Sequence, residues 1–112
     1  MREEERARRV GLNEALFREV NEQIRSLNHE FAATDGAITV ICECGDAGCT
    51  ERLGLRLSEY EHVRSDSLLY VIAKGHVFPD VEQVVESNHT HDVVEKRAGA
   101  AAELSEETDP RS

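Results

Sequence analysis

Cys42, Cys44 and Cys49 are the only cysteines of this chain, and they fall together in the segment CECGDAGC at residues 42–49. Thiols at that density read as metal ligands. Residues two apart on an extended chain point to the same side, so Cys42 and Cys44 present both sulfurs to one point. Gly45 and Gly48 allow positive φ, which would turn the loop back and return Cys49 to that point. Tetrahedral zinc takes four ligands, with sulfur at ~2.3 Å and histidine nitrogen at ~2.1 Å, so one ligand must come from elsewhere. Five histidines are available. His76 is favoured, because it follows an apolar strand-like run and the flexible Gly75. His89, His91, His62, an acid or water are the alternatives, and His29, near a helix end, reads as a surface residue.

A closed Cys₃His site leaves no position for substrate, which marks a structural zinc as the expected cofactor. Buried free cysteine is also a common small hydrophobe, and Cys42 alone would fit that description. Cys44 and Cys49 do not, since they lie in a polar, glycine-containing loop. Arg52 and Lys74 are candidates to offset the negative charge of three thiolates. If water were the fourth ligand, zinc would supply hydroxide, with Glu43 or Glu51 as general base. The hydrolase pattern HExxH and the deaminase pair HxE with PCxxC are both missing. A zinc-thiolate redox sensor, in which oxidation ejects the metal, is the other alternative to a structural site.

The rest of the chain must position these groups. With 112 residues it is expected to form one domain. Its core is modest, since hydrophobic residues make up 39% of the chain, Trp is absent, and three Phe and two Tyr supply the aromatic volume. A bound metal would therefore matter for folding. Thirteen basic against 23 acidic residues give a net charge of −10, which repels phosphate backbones and anionic lipid, so neither nucleic acid nor membrane is an expected partner. Arg2, Arg6, Arg8 and Arg9 stand among Glu3, Glu4 and Glu5, a solvated helix face rather than a DNA-binding arm. No apolar run approaches the ~20 residues that cross a bilayer, and the charged start lacks a secretion signal, so a cytoplasmic location is expected. An odd cysteine count and a CxC spacing argue against disulfides.

Val10, Phe17, Val20, Ile24, Leu27 and Phe31 recur at helical steps and predict a long helix from near Glu3 to the turn at Asp35-Gly36. Its stripe is expected to pack on the protein's own sheet, with a second copy's helix, and hence a homodimer, as the alternative. Glu4/Arg8, Glu5/Arg9 and Glu14/Arg18 read as solvent-exposed ion pairs along this helix. Residues 37–42 and 52–57 predict two strands flanking the cysteine loop, a hairpin with the thiols at its tip. A capping box at Ser58 and Glu61 predicts a short helix to about Ser65, with Tyr60 and Val63 inward. Residues 68–73 read as a buried central strand. Pro79-Asp80 opens a second short helix carrying Val81, Val84 and Val85, and residues 92–97 close the fold as an edge strand. The fold class is α+β: a long N-terminal helix packed on a small, mostly antiparallel sheet, with a zinc-binding hairpin tip and two short connecting helices. Residues 1–97 form the zinc-stabilised domain, with 1–9 a frayed helix start, and residues 98–112 a mobile acidic tail.

Several segments resemble a family of small bacterial proteins, mostly actinobacterial. They are NEALFREVNEQIRSLN (13–28), CECGDAGCTERL (42–53), LSEYEHVR (57–64), Gly75-His76, VVEK (93–96) and EETDPRS (106–112). The likeness spans nearly the whole chain. Its pattern has Pro-Gly-His where this chain has Lys74-Gly75-His76, which leaves His76 in register. The resemblance implies that Cys42, Cys44, Cys49 and His76 form one set, and it implies no activity. The expected function is a zinc-stabilised interaction or regulatory module whose partner is another protein.

Overall fold

The structure is a computed structural model that describes residues 2–28 and 36–111, with side chains over 5–27 and 36–111. Its elements are α1 (Arg2–Asn28), β1 (Ala37–Ile41), β2 (Arg52–Arg56), α2 (Leu57–Arg64), β3 (Leu69–Ile72), β4 (Glu82–Ser87), β5 (Asp92–Lys96) and α3 (Ala100–Glu107). This is an α+β arrangement of antiparallel strands and helices.

β1 and β2 form a two-stranded hairpin in which Ile38 pairs with Leu55 and Val40 with Leu53. The alternation of both strands puts these four inward and Arg52, Gly54 and Arg56 outward. They join Tyr60 and Val63 of α2 and all four residues of β3 in one apolar cluster. The cap of α2 sits two residues earlier than the Ser58/Glu61 box: the Arg56 backbone N–H donates to Glu59 Oε1 at 2.8 Å.

The second sheet has the order β3-β5-β4, so residues 92–96 form its centre and β3 one edge. This inverts the expected roles of the two segments. The reason lies at residues 82–87, which form strand β4 rather than the short helix expected after Pro79-Asp80. Val84-Val85 is a β-branched pair whose i, i+3, i+4 spacing over one short window fits either period, and pairing with β5 decides it. Glu82 faces inward, while Val84 and Val85 are exposed. β3 is nonetheless buried along its length, because its outer edge is taken by the cysteine loop: Glu43 N–H donates to Val71 O at 2.8 Å.

The segment expected as a free acidic tail instead carries α3, whose Ala101, Ala102, Leu104 and Ser105 are buried. Small side chains are what permit this. A Cβ at Gly11 of α1 would lie 3.2 Å from Ala101 Cα, so the two helix backbones meet at a glycine facing an alanine. Beyond α3, Arg111 donates to both oxygens of Glu22, at 2.5 and 3.1 Å, and pairs with Glu61.

α1 is inverted relative to its apolar pattern. Glu14, Arg18 and Asn21, spaced as one helical face, are fully buried, whereas Val20 and Leu27 of the expected inward stripe are exposed. Phe17 and Ile24 are half-buried and Val10 is buried; Phe31, His29 and Asp35 lie outside the described residues. Each of these three side chains has a partner across the interface. Arg18 donates to the carbonyls of Ser67 and Ser105, both at 2.7 Å, and stacks 4.8 Å above the Tyr70 ring. Asn21 caps the end of β1, exchanging bonds of 2.8 Å with Ile41 N–H and C=O. Lys96 pairs with Glu14 and Glu82, all three fully enclosed.

Burial, with Glu82 alongside, raises the Glu14 pKa well above its ordinary value against the pull of Lys96. The folded state therefore keeps a proton that the unfolded chain releases above about pH 4.3, and the contribution is lost as pH rises toward the folded pKa. Glu14→Gln is expected to be more stable than the wild type, by a margin that widens from about pH 5 upward at no more than ~1.4 kcal/mol per pH unit. Urea midpoints of the two proteins across that range check this, and a constant margin refutes it.

Candidate metal centre

The hairpin, the strand beside it and the following turn bring Cys42, Cys44, Cys49 and His76 together, with one ligand atom from each lying within 4.8 Å of every other. Among the described residues this is the one group of three or more potential ligands so arranged. The ladder of β1 and β2 continues past the strands, with Cys42 N–H donating to Glu51 O at 2.9 Å, and so delivers Cys42 to the hairpin tip. Alternation then places Cys44 on the same side and Glu43 on the other.

The loop returns through a turn closed by Asp46. Its carboxylate accepts from Gly48 N–H at 2.9 Å and its carbonyl from Cys49 N–H at 3.0 Å. Neither Gly45 nor Gly48 has the positive φ expected of it; among the described glycines only Gly75 and Gly99 do. Gly45 answers a different need. A Cβ there would overlap the Val10 side chain, so the loop lies directly on α1, where Asn13 Nδ2 also donates to Gly45 O at 2.8 Å. Gly75, at φ 82°, makes the turn that aims His76, and its N–H is held by Asp92 Oδ2 at 3.1 Å.

His76 Nδ1 lies 3.6 Å from both Cys42 Sγ and Cys49 Sγ. Bond lengths of ~2.3 Å to sulfur and ~2.1 Å to nitrogen, at the tetrahedral angle, give a sulfur–nitrogen edge of about 3.6 Å. The sulfurs are surrounded by backbone donors: Ala73 N–H reaches Cys42 Sγ at 3.1 Å, Asp46 N–H supports Cys44 and Glu51 N–H supports Cys49. The Cys42 thiol donating to Cys44 holds the Cys44 pKa at about 5, against burial. Sharing its proton with Cys44, together with burial, pushes Cys42 up, and burial raises Cys49. One sulfur is thus a ready anion, and backbone dipoles face the other two.

Two other described histidines are engaged elsewhere. His62 Nε2 is 2.6 Å from Glu86 Oε2, and buried His91 contacts Asn88 and Thr90. His89 is exposed. Lys74, expected to offset thiolate charge, instead donates to Ser87 Oγ and Asn88 O at 2.7 Å and holds the β4–β5 turn. Glu43, considered as a general base, is fully buried: its carboxylate accepts from Asn21 at 2.7 Å, Arg64 at 3.0 Å and Val71 N–H at 3.1 Å. Three donors leave it no role toward water. Its role is to tie the ligand loop to α1, α2 and β3, which sequence reasoning missed; its place between two cysteines on an alternating chain was the available signal. Comparison with models of known protein families, with curated proteins and with solved structures finds no match.

Proposed function

We propose that Cys42, Cys44, Cys49 and His76 hold one structural zinc ion, and that the chain is a small zinc-stabilised module that acts by contacting another protein. The single observation that carries the metal reading is the pair of 3.6 Å sulfur–nitrogen separations, which match the edge of a zinc-centred tetrahedron. The donor set agrees with it, because three sulfurs and an imidazole select zinc over the oxygen-seeking magnesium or calcium. The backbone N–H groups aimed at the sulfurs supply the surroundings a thiolate-rich site needs. All four positions of the tetrahedron come from the protein, which favours a structural role over a hydrolytic one. The likeness to small actinobacterial proteins, with their CxCxxxxC and Gly-His pattern, is part of the same proposal.

Metal analysis of the purified protein tests it. One zinc per chain is expected, and Cys44→Ser and His76→Ala should each lose most of it. Retention of a full complement by both variants would refute the ligand assignment.

A further inference from the structure

The outward face of α1 is apolar. Leu12, Leu16, Val20 and Leu27 are 47%, 60%, 38% and 78% exposed, and half-buried Phe17 and Ile24 border them. At ~100° per residue this stripe lies opposite Glu14, Arg18 and Asn21, whose partners fill the inward face. Residues 12–27 extend for about 24 Å at ~1.5 Å per residue, enough to seat a second helix.

We infer that the occupant of this face is the same face of a second copy, laid antiparallel across a two-fold axis near Leu16. Self-complementarity is what such an interface requires, since one patch must serve both copies. The charges bordering the stripe provide it in one orientation. Arg8 and Arg9 are exposed at its N-terminal end, and Glu19 is exposed beside its C-terminal half. A parallel pair sets arginine beside arginine and Glu19 beside the partner's Glu19. The antiparallel pair sets Leu16 on the partner's Leu16 and Leu12 at the level of the partner's Val20. It brings Arg9 to the level of the partner's Gln23, one turn from the partner's Glu19. Symmetry repeats each of these contacts, so an attractive pair flanks each side of an apolar centre made by Leu12, Leu16 and Val20, with Leu27 beyond it at the level of the partner's Glu5. The inference is independent of the metal reading, because the stripe faces away from the buried contacts of α1.

Sedimentation of the full chain as purified, over a concentration series, tests it. The wild type should pass from monomer to dimer, while Leu16→Glu, at an exposed position, should stay monomeric with unchanged helical circular dichroism. Arg9→Glu should weaken the dimer by about tenfold. Adding Glu19→Arg to Arg9→Glu should restore most of that loss. A wild type that remains monomeric overturns the proposal and leaves the face to a different protein. A dimer that survives Leu16→Glu overturns it as well, and a swap without recovery overturns the antiparallel arrangement.

Discussion

Stripping zinc from the loaded protein with a strong chelator is expected to lower its melting temperature by more than about 20 °C, or to abolish a cooperative transition altogether. The magnitude follows from comparing two quantities. Structural zinc binding to Cys/His sites is worth ~10–16 kcal/mol, and a small domain has only about 5–15 kcal/mol of stability in total. This domain would be poorly placed to do without the proposed metal. Cys42 and Cys44 belong to its principal apolar cluster, and Cys49, Val77 and Phe78 pack against that cluster. Without an ion, a lone thiolate at Cys44 would remain among them, and the loop that covers the outer edge of β3 would depend on the bonds made by Glu43 and Asn13. Differential scanning calorimetry before and after chelation, followed by zinc readdition, gives the result directly. A stripped sample that melts with the loaded one would show that the four side chains do not stabilise the fold through a metal.

Arg64→Ala should cost ~3–5 kcal/mol in the zinc-loaded protein, because it leaves the Glu43 carboxylate enclosed without its cation. Both side chains are buried; Arg64 also donates to Leu69 O at 2.8 Å and lies 5.6 Å from the centroids of Tyr60 and Tyr70. The pair therefore fastens α2 to β3 as well as to the ligand loop. Replacing both partners, as Glu43→Leu with Arg64→Met, should cost less than the sum of the single changes, since no orphaned charge remains. Zinc affinity should fall by about 10–100-fold in the single variant, because Glu43 sits between two ligands and fixes the backbone that carries them. Urea midpoints and a competitive zinc titration check the two effects. A loss under ~1 kcal/mol would mean that water reaches the pair.

The parts of the fold legible from the sequence were those whose signals are local. The hairpin follows from a β-branched run after a turn and a run with period-two alternation, and α2 from a Ser58/Glu61 capping pattern that lies two residues past the actual cap but has Tyr60 and Val63 inward. The Cys42, Cys44 and Cys49 constellation follows from spacing alone, and His76 from its place after a buried strand and a glycine. What escaped depended on partners distant in the chain. Glu14 and Arg18 look like a surface ion pair until Lys96, Glu82 and the carbonyls of Ser67 and Ser105 stand opposite them. Residues 100–107 look like a tail until Gly11 offers Ala101 a backbone to rest on. Val84-Val85 fits a helix or a strand until β5 is present to pair with it. In each case the local pattern was compatible with two states, and a tertiary contact chose between them.

The polar docking of α1 has a thermal consequence. Exposure of apolar surface raises heat capacity, whereas exposure of polar surface lowers it. Peeling α1 from the body would release Glu14, Arg18, Asn21 and their partners into water along with the smaller apolar contact of Val10 with Val81 and Ala101, since its leucines face outward. Release of this helix should thus show a far flatter temperature dependence than melting of the Tyr60–Tyr70 interior, and cooling should not loosen it as it loosens an oily contact.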